Sequence, residues 1–579
     1  MRIFFVALFV LASVENNIGR AQFATVINIP SASLPDILGS NTQVNLAAGG
    51  VIESSVSGLP YHLGQSDGSS TNIEFNVSGG TMRGTALAFA GTTVHVGGGV
   101  WNSSLQLYSG SRAFISGGNG PGLVVKDGAN AIIDGGENGA RVENGGKLTI
   151  NGGLVNNLIG HTNSLISITG GKIGGGSEGV SINSKIDIHG GAYGKFNAYS
   201  LADVALYGGE FRLDGQLIGG LEQVGDTVAI DIPNRSVLSG TLTDGTPIVF
   251  TALKGSDGDS LAPGVLKLKA TSVPPPLPAD LLASRDPTPR GLREGQTLRV
   301  DAGQVLGNYF TAGRGSTLIV DPGGTVGNNL RSVAATVKIS GKLNGDLVAV
   351  DGSQIELSAG SSMGSVFAQR SRLKMTGRSA FGVFLYDSTF DVERGGTVEF
   401  LRGMEGSEIN VHGGRVGTIG SGSLQDTVQV NRGGVMNLFG GTLGDVSRIG
   451  GTFNLAGGTL GRFFSVDRGG VLNVSGGSFG QSLYIDSGAE LNFLGTEFKL
   501  DGEPIPRLQQ GVRFVLGDRG RTLSGVLADG SPFERFLSPT ISAGAKVTLT
   551  LVPEPQAFSI CLMAFLFGFS KRRALLACR

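Results

Sequence analysis

The sequence predicts an all-β protein built as two tandem parallel β-solenoids, each closed at its C-terminal end by a β cap. Three observations lead there. Gly accounts for 98 of the 579 residues, well above the usual share of about 7%. Much of that Gly falls in doublets at a steady spacing, and aliphatic residues stand at fixed places before each doublet, alternating with other side chains. A collagen-like triple helix is excluded, because the Gly lacks an every-third-residue period and Pro numbers only 20. A disordered Gly-rich chain is excluded by a hydrophobic share of 40%, enough to bury a core. The balance of 45 basic against 46 acidic side chains leaves no electrostatic footprint for nucleic acid.

The N-terminal segment, residues 1–21, reads as an address. Arg2 precedes an apolar run from Ile3 to Val14, and a polar stretch ends in Gly19-Arg20-Ala21 with small residues at the −3 and −1 positions. This is the layout of a secretory signal peptide.

Residues 22–213 are expected to form the first solenoid. Doublets begin at Gly79, Gly98, Gly117, Gly135, Gly152, Gly170, Gly190 and Gly208, with gaps of 19, 19, 18, 17, 18, 20 and 18 residues. Two residues before them stand Val77, Val96, Ile115, Ile133, Ile150, Ile168, Ile188 and Leu206. Four before stand Phe75, Val94, Ala113, Ala131, Leu148, Ile166, Ile186 and Val204. Alternation with a period of two marks a short strand with one buried face, and the Gly pair marks a turn that needs positive φ or close backbone approach. Strands this short cannot bury that face alone, so successive units must stack in a parallel ladder with two interior aliphatic columns. Unequal coil lengths favour the right-handed sense. The outward positions three before the doublets are mostly small or polar, as at Asn76, His95, Thr149, Ser167 and Asp187.

The first cap is placed at residues 214–272 by a duplication. Glu210-Phe211-Arg212-Leu213-Asp214-Gly215 matches Glu497-Phe498-Lys499-Leu500-Asp501-Gly502, and the segment Leu238 to Pro247 matches Leu523 to Pro532. Both lie where a solenoid must hide its open edge. Residues 273–295, with Pro274-Pro275-Pro276, Pro278, Pro287 and Pro289, read as a semi-rigid linker.

The second solenoid, 296–500, repeats the scheme with turn Gly residues at 303, 323, 341, 360 and 377. Later units place Asn410, Asn437, Asn454, Asn473 and Asn492 three residues before Gly413, Gly440, Gly457, Gly476 and Gly495. These amides are expected to face outward as a ladder along the stack. The 27-residue gap between Gly413 and Gly440 predicts an irregular coil. The second cap follows at 501–550.

The tail, 551–579, is a second address. Val552-Pro553-Glu554-Pro555 precedes an apolar run from Ala557 to Phe569 and then Lys571-Arg572-Arg573. This layout resembles the PEP-CTERM sorting signal recognised by exosortase-type membrane proteases of Gram-negative bacteria that make extracellular polysaccharide. The resemblance implies an exosortase partner, transient membrane association through the tail, and delivery to the cell envelope, cell surface or extracellular matrix. The apolar run is short for a span, which needs about 20 residues, but suits a pause in the membrane with the basic cluster held on the cytoplasmic side. Both cysteines, Cys561 and Cys578, fall in this tail, so the body relies on packing and backbone pairing rather than disulfides. The repeats themselves, as in Ile186-Asp187-Ile188-His189-Gly190-Gly191 and Val471-Leu472-Asn473-Val474-Ser475-Gly476-Gly477, resemble the Gly-doublet repeats of autotransporter and adhesin β-helices. That likeness implies a surface β-helix and carries over no binding residue.

Chemistry on the coils is sparse. Asp301, Asp321, Asp467 and Asp486 recur two residues before a turn Gly, with Asp467 and Asp486 expected on adjacent coils; duplication of an Asx-type turn explains them better than an acid pair or a cation site. Arg394, Arg432 and Arg468 each precede a Gly pair at spacings of 38 and 36 residues, and form a candidate row for anionic polysaccharide. His189 and His412 precede doublets without a third partner. No phosphate loop, nucleophile elbow or zinc motif is present, and no metal, cofactor or catalytic residue is expected. The expected function is that of a non-catalytic exported structural or adhesive solenoid, with a polysaccharide lyase or hydrolase as the alternative.

Overall fold

The computed structural model describes residues 23–53, 59–174, 180–252, 259–358, 360, 363–377, 379–419, 427–517, 520–538 and 544–553. The expected signal peptide, the two cysteines and, within the sorting motif, Glu554, Pro555, Lys571, Arg572 and Arg573 lie outside these residues. Every regular element among the described residues is a β-strand. The chain divides into two compact units, Met1–Ile188 with Asn197–Val204, and His189–Phe196 with Ala205–Arg579.

In the first unit, strands Thr25–Ile29, Thr42–Leu46, Ile73–Val77, Thr92–Val96, Arg112–Ile115, Asn130–Ile133, Lys147–Ile150, Leu165–Ile168 and Lys185–Ile188 pair in parallel, each with the next. A second parallel sheet runs from Ile37–Leu38 through Tyr61–Leu63, Ala86–Ala88 and Ser104–Leu107 to Val180–Ile182. The chain alternates between the two sheets, which is a β-solenoid. The expected interior columns are where the period placed them: none of the sixteen residues two or four before a doublet is more than 3% exposed. Phe75, Val94 and Ala113 stand in register on successive coils.

The doublets divide their labour. In the first seven the second Gly takes positive φ, 73° at Gly80 and 76° at Gly136, where a Cβ is disfavoured; the eighth, Gly208-Gly209, is no turn but lies inside strand Asp203–Leu213. The first Gly lies against the preceding coil, and a Cβ at Gly135 would collide with the Ser116 carbonyl. Stacking at strand spacing, about 4.8 Å, leaves no room for a side chain at that corner.

In the second unit a parallel sheet runs from Asp280–Leu282 and Thr297–Val300 to Val471–Val474 and Glu490–Leu500, beside another from Gly291–Leu292 to Ser482–Ile485. The strands Asp280–Leu282 and Gly291–Leu292, which lie within the Pro-rich stretch 273–295, form the first rungs of this solenoid. One continuous hydrophobic core extends from Leu281 to Leu549. The 27-residue gap leaves the stack undisturbed, because Glu408–Val411 pairs directly with Val435–Leu438, Asn410 opposite Asn437. The extra residues fall in sequence between Arg415–Val416, which itself pairs with Thr442–Leu443, and Val428–Val430.

The second cap seals the last coil. Strand Glu490–Leu500 pairs in parallel with Lys546–Leu551 over its first half and antiparallel with Arg521–Leu527 over its second. Asp501 sits at the turn that follows, held below the usual carboxylate range by Arg521 and by the Thr522 N–H.

The first cap has the same antiparallel hairpin, Val237–Leu242 with Pro247–Thr251, and it packs along the side of the second solenoid. Val237 and Val249 share a buried cluster with Val333 and Val350. Arg331 is buried at this joint, its guanidinium donating to the Val249 carbonyl at 2.5 Å, the Gly194 carbonyl at 2.8 Å and the Asp259 carboxylate at 3.2 Å. Asp259 also accepts from the Phe196 and Thr251 N–H groups, both at 2.8 Å. Further along, Arg370 bridges Asp214 of the cap and Asp351 of the solenoid.

Removing one partner of a satisfied buried pair leaves an uncompensated charge, at a cost of about 3–5 kcal/mol. Asp259→Ala should therefore speed amide exchange throughout the hairpin Val237–Thr251, and Asp259→Leu combined with Arg331→Met should restore only part of the protection, because the Phe196 and Thr251 N–H groups stay unpaired. The depressed Asp501 carboxyl stabilises the cap above its unfolded-chain pKa of about 4, and this contribution disappears as pH falls through its lower folded value. Protection of the hairpin Arg521–Leu537 against exchange, relative to an unfolded chain at the same pH, should fall on acidification below about pH 4, and less steeply in Asp501→Asn.

Candidate functional site

The outward face of the second solenoid carries a column built from one position per coil. Between buried neighbours stand Lys338, Glu356, Lys374 and Asp391, each in register with the next, and the column continues as Asn410, Asn437, Asn454, Asn473 and Asn492. Period-two alternation turns these side chains out of the core because Val337, Ile339, Leu373 and Met375 are turned in.

The two halves of the column behave differently. In the amide half each Asn donates its side-chain N–H to the preceding Asn oxygen, at 2.8, 2.6, 2.7 and 2.8 Å from Asn437 to Asn492. Asn410 donates in turn to Asp391 at 3.0 Å, and the Thr548 hydroxyl donates to Asn492 at 2.5 Å. The ladder is thus formed as the sequence implies. It is less open than expected: Asn410, Asn437 and Asn492 are buried and the other two half-buried, since close-stacked amides cover one another.

In the charged half Lys338, Glu356 and Lys374 are exposed. They line a surface groove of about 980 Å³ that extends over Asp391 and Glu408 to His412 and Phe439. Two of its carboxylates are engaged with cations. Asp391 takes Arg372 at 3.3 Å, and Glu393 takes Lys374 at 3.7 Å. The His412 ring stacks on Phe439 of the next coil, centroids 5.1 Å apart and 8° from parallel. Cations, acids and aromatic rings spaced by single coils can hold an extended polar chain lying along the stack.

The groove is not where the sequence pointed. Asp467 and Asp486 are indeed on adjacent coils, following Val466 and Ile485, which pair in register. Asp467 is taken by Arg448 at 2.7 Å, while Asp486 borders a separate pocket of about 390 Å³ with Arg535 and Phe536. Arg394 follows a strand of the first sheet, whereas Arg432 and Arg468 follow strands of the other. Arg432 and Arg468 lie two coils apart on one edge, and Arg394 is not in their row. His189 stacks on Tyr207 at 3.9 Å. The signal for the groove was present in the sequence, as charged residues at 338, 356, 374 and 391 in the place the Asn residues hold later.

A shorter amide ladder lies in the first unit, Asn76 donating to Asn45 and Asn45 to Asn28 at 3.0 and 2.9 Å. The next outward side chains, His95 and Phe114, are stacked rings. Among the described residues no three His, Cys, Asp or Glu side chains converge as a metal site. No family model matches the chain, and no curated protein matches it either.

Replacing Asn437 by Ala breaks the ladder between Asn410 and Asn454 and leaves buried amide groups unpaired, at about 1–3 kcal/mol. Denaturant unfolding of Asn437→Ala should shift accordingly, whereas Ser465→Ala, outside the ladder, should change little.

Proposed function

We propose that the protein is a non-catalytic exported β-solenoid of the cell surface or extracellular matrix of a Gram-negative-type bacterium, where it binds extracellular polysaccharide along its coils. The observation that carries this reading is the groove over Lys338, Glu356, Lys374 and Asp391. Its charged groups repeat at coil spacing, about 4.8 Å, close to the length of one sugar unit in an extended chain. Successive coils therefore meet successive sugars with alternating cation and acid, and many weak contacts add up through multivalency. The groove acids nearest to one another are tied up by Arg372, Lys374 and Asn410, an arrangement suited to holding a polar polymer rather than to protonating a glycosidic oxygen.

The reading of export rests on the ends of the chain. The tail layout that resembles the PEP-CTERM signal begins directly after the strand Lys546–Leu551, where Val552 donates its N–H to the Gly495 carbonyl at 2.9 Å.

The test is retention of the native exopolysaccharide by the purified protein in affinity electrophoresis. Lys338→Glu with Lys374→Glu should weaken retention about tenfold or more, as expected for losing charge-assisted contacts worth about 1.5 kcal/mol or more. Release of reducing ends or unsaturated sugars that is abolished by Asp391→Asn would instead establish the polysaccharide lyase or hydrolase reading. For sorting, Lys571→Ala, Arg572→Ala and Arg573→Ala together should move the protein out of its normal cell fraction.

A further inference from the structure

We propose that the pocket at the end of the second solenoid is a binding site for a short neutral glycan, separate from the groove. It measures about 390 Å³ and lies where Ser482–Ile485, the last strand of its sheet, meets Arg535 to Ser538 of the second cap. Small-molecule pockets span about 300–1,000 Å³ and combine aromatic walls with a few convergent polar groups. The groove is built from other strands, and the two share no residue.

Two aromatic rings in the wall are open to solvent, Tyr484 57% exposed and Phe536 56%. Tyr484 is the outward residue of its coil, in register with Ser465, which is in register with Arg448 one coil further back. Phe536 is supplied by the cap. The two caps turn alike: Asp244 accepts from the Gly191 and Thr246 N–H groups at 3.0 and 2.9 Å, and Asp529 from those of Gly477 and Ser531 at 3.0 and 2.8 Å. By the same register Phe536 stands opposite Thr522 as Thr251 stands opposite Val237. Thr251 is buried, whereas Phe536 lines the pocket.

The acid of the pocket is free, and one change in the repeat frees it. Of the turn aspartates 301, 321, 467 and 486, three are held from the preceding coil. Asp301 accepts from the Ser284 N–H at 3.2 Å, Asp321 from Arg299 at 2.5 Å and Asp467 from Arg448 at 2.7 Å. Arg299 and Arg448 each stand in register with the residue two before the Asp they hold, Ile319 and Ser465. The residue so placed for Asp486 is Ser465, whose short hydroxyl donates to the Ser447 carbonyl at 3.3 Å instead. Among the described residues the Asp486 carboxylate, the Tyr484 hydroxyl and the Gln481 side-chain amide have no partner. Arg535 does not neutralise the acid: its guanidinium donates to the Gly480 carbonyl at 2.5 Å and lies over the Phe479 ring.

A sugar ring matches this set. Its C–H faces pack on aromatic rings, neighbouring hydroxyls donate together to one carboxylate, and the remaining hydroxyls meet the amide and the phenol. The unpaired carboxylate repels uronic and sulfated sugars, so a neutral glycan is selected. A quaternary ammonium also favours aromatic rings, but the Arg535 guanidinium in the same wall opposes a second cation.

Titration of the purified protein, followed by NMR, with neutral tetrasaccharides of glucose, mannose and galactose tests this, beside a galacturonic tetrasaccharide and choline. At least one neutral glycan should bind about tenfold or more tightly than the uronic one or choline. Asp486→Asn, Tyr484→Ala and Phe536→Ala should each weaken it about tenfold, as for the loss of one charge-assisted hydrogen bond or one stacking ring. Ser465→Arg, outside the pocket wall, should weaken it as much, by rebuilding on Asp486 the clamp that Arg448 places on Asp467. The proposal is overturned if none of the three neutral glycans binds, if choline or the uronic glycan binds more tightly, or if these four variants bind as the wild type does. It is overturned as well if Lys338→Glu with Lys374→Glu abolishes the binding while Asp486→Asn does not, which would put the glycan in the groove.

Discussion

Everything in this protein depends on one repeated contact, the parallel backbone hydrogen bonding of each coil to the next at a fixed separation. It sets the corner chemistry, since a carbonyl of the preceding coil lies where a side chain would begin at Gly135. It sets the core, since an aliphatic residue on one coil rests on its equivalents above and below. It also sets the surface, because identical outward positions come within reach of one another and like side chains are brought together whether or not they attract. Amides and hydroxyls gain from that proximity; equal charges would not, and the charged column alternates Lys338, Glu356, Lys374 and Asp391 accordingly.

The parts of the fold set by this contact were legible in the sequence because it writes a period. The interior columns, the turn Gly residues and the amide ladder all recur at coil spacing, and a register read from the Gly doublets places them. Even the 27-residue coil kept Asn410 opposite Asn437, because the extra residues come between strands that keep their own pairings. What recurs nowhere was not legible. Arg331 meets Asp259 across 72 positions, with no repeat to announce it, and the lateral seat of the first cap follows from that contact and from four Val residues. The groove falls between the two cases. Its residues are periodic in position but not in chemical type, so an eye set for repeated identity passes over them.

The two caps show how one module serves two settings. Their backbone bonding is preserved almost bond for bond around Asp244 and Asp529, while the outer face has diverged from Val and Thr to Glu and Phe. The inner contacts answer to the coil beneath, which is the same in both. The outer face answers only to what lies on it, and is free to change when that neighbour changes.

The amide ladder has a direction. Every side chain from Asn437 to Asn492 donates toward the lower-numbered coil, so the individual dipoles point the same way and reinforce one another, as peptide units do along a helix. The positive end is the amino group of Asn410, and it terminates on the carboxylate of Asp391; the negative end is the oxygen of Asn492, and it terminates on the hydroxyl of Thr548. The ladder thus works as a polarised wire, adding a partial positive charge gathered over five coils to the full one that Asp391 meets in Arg372.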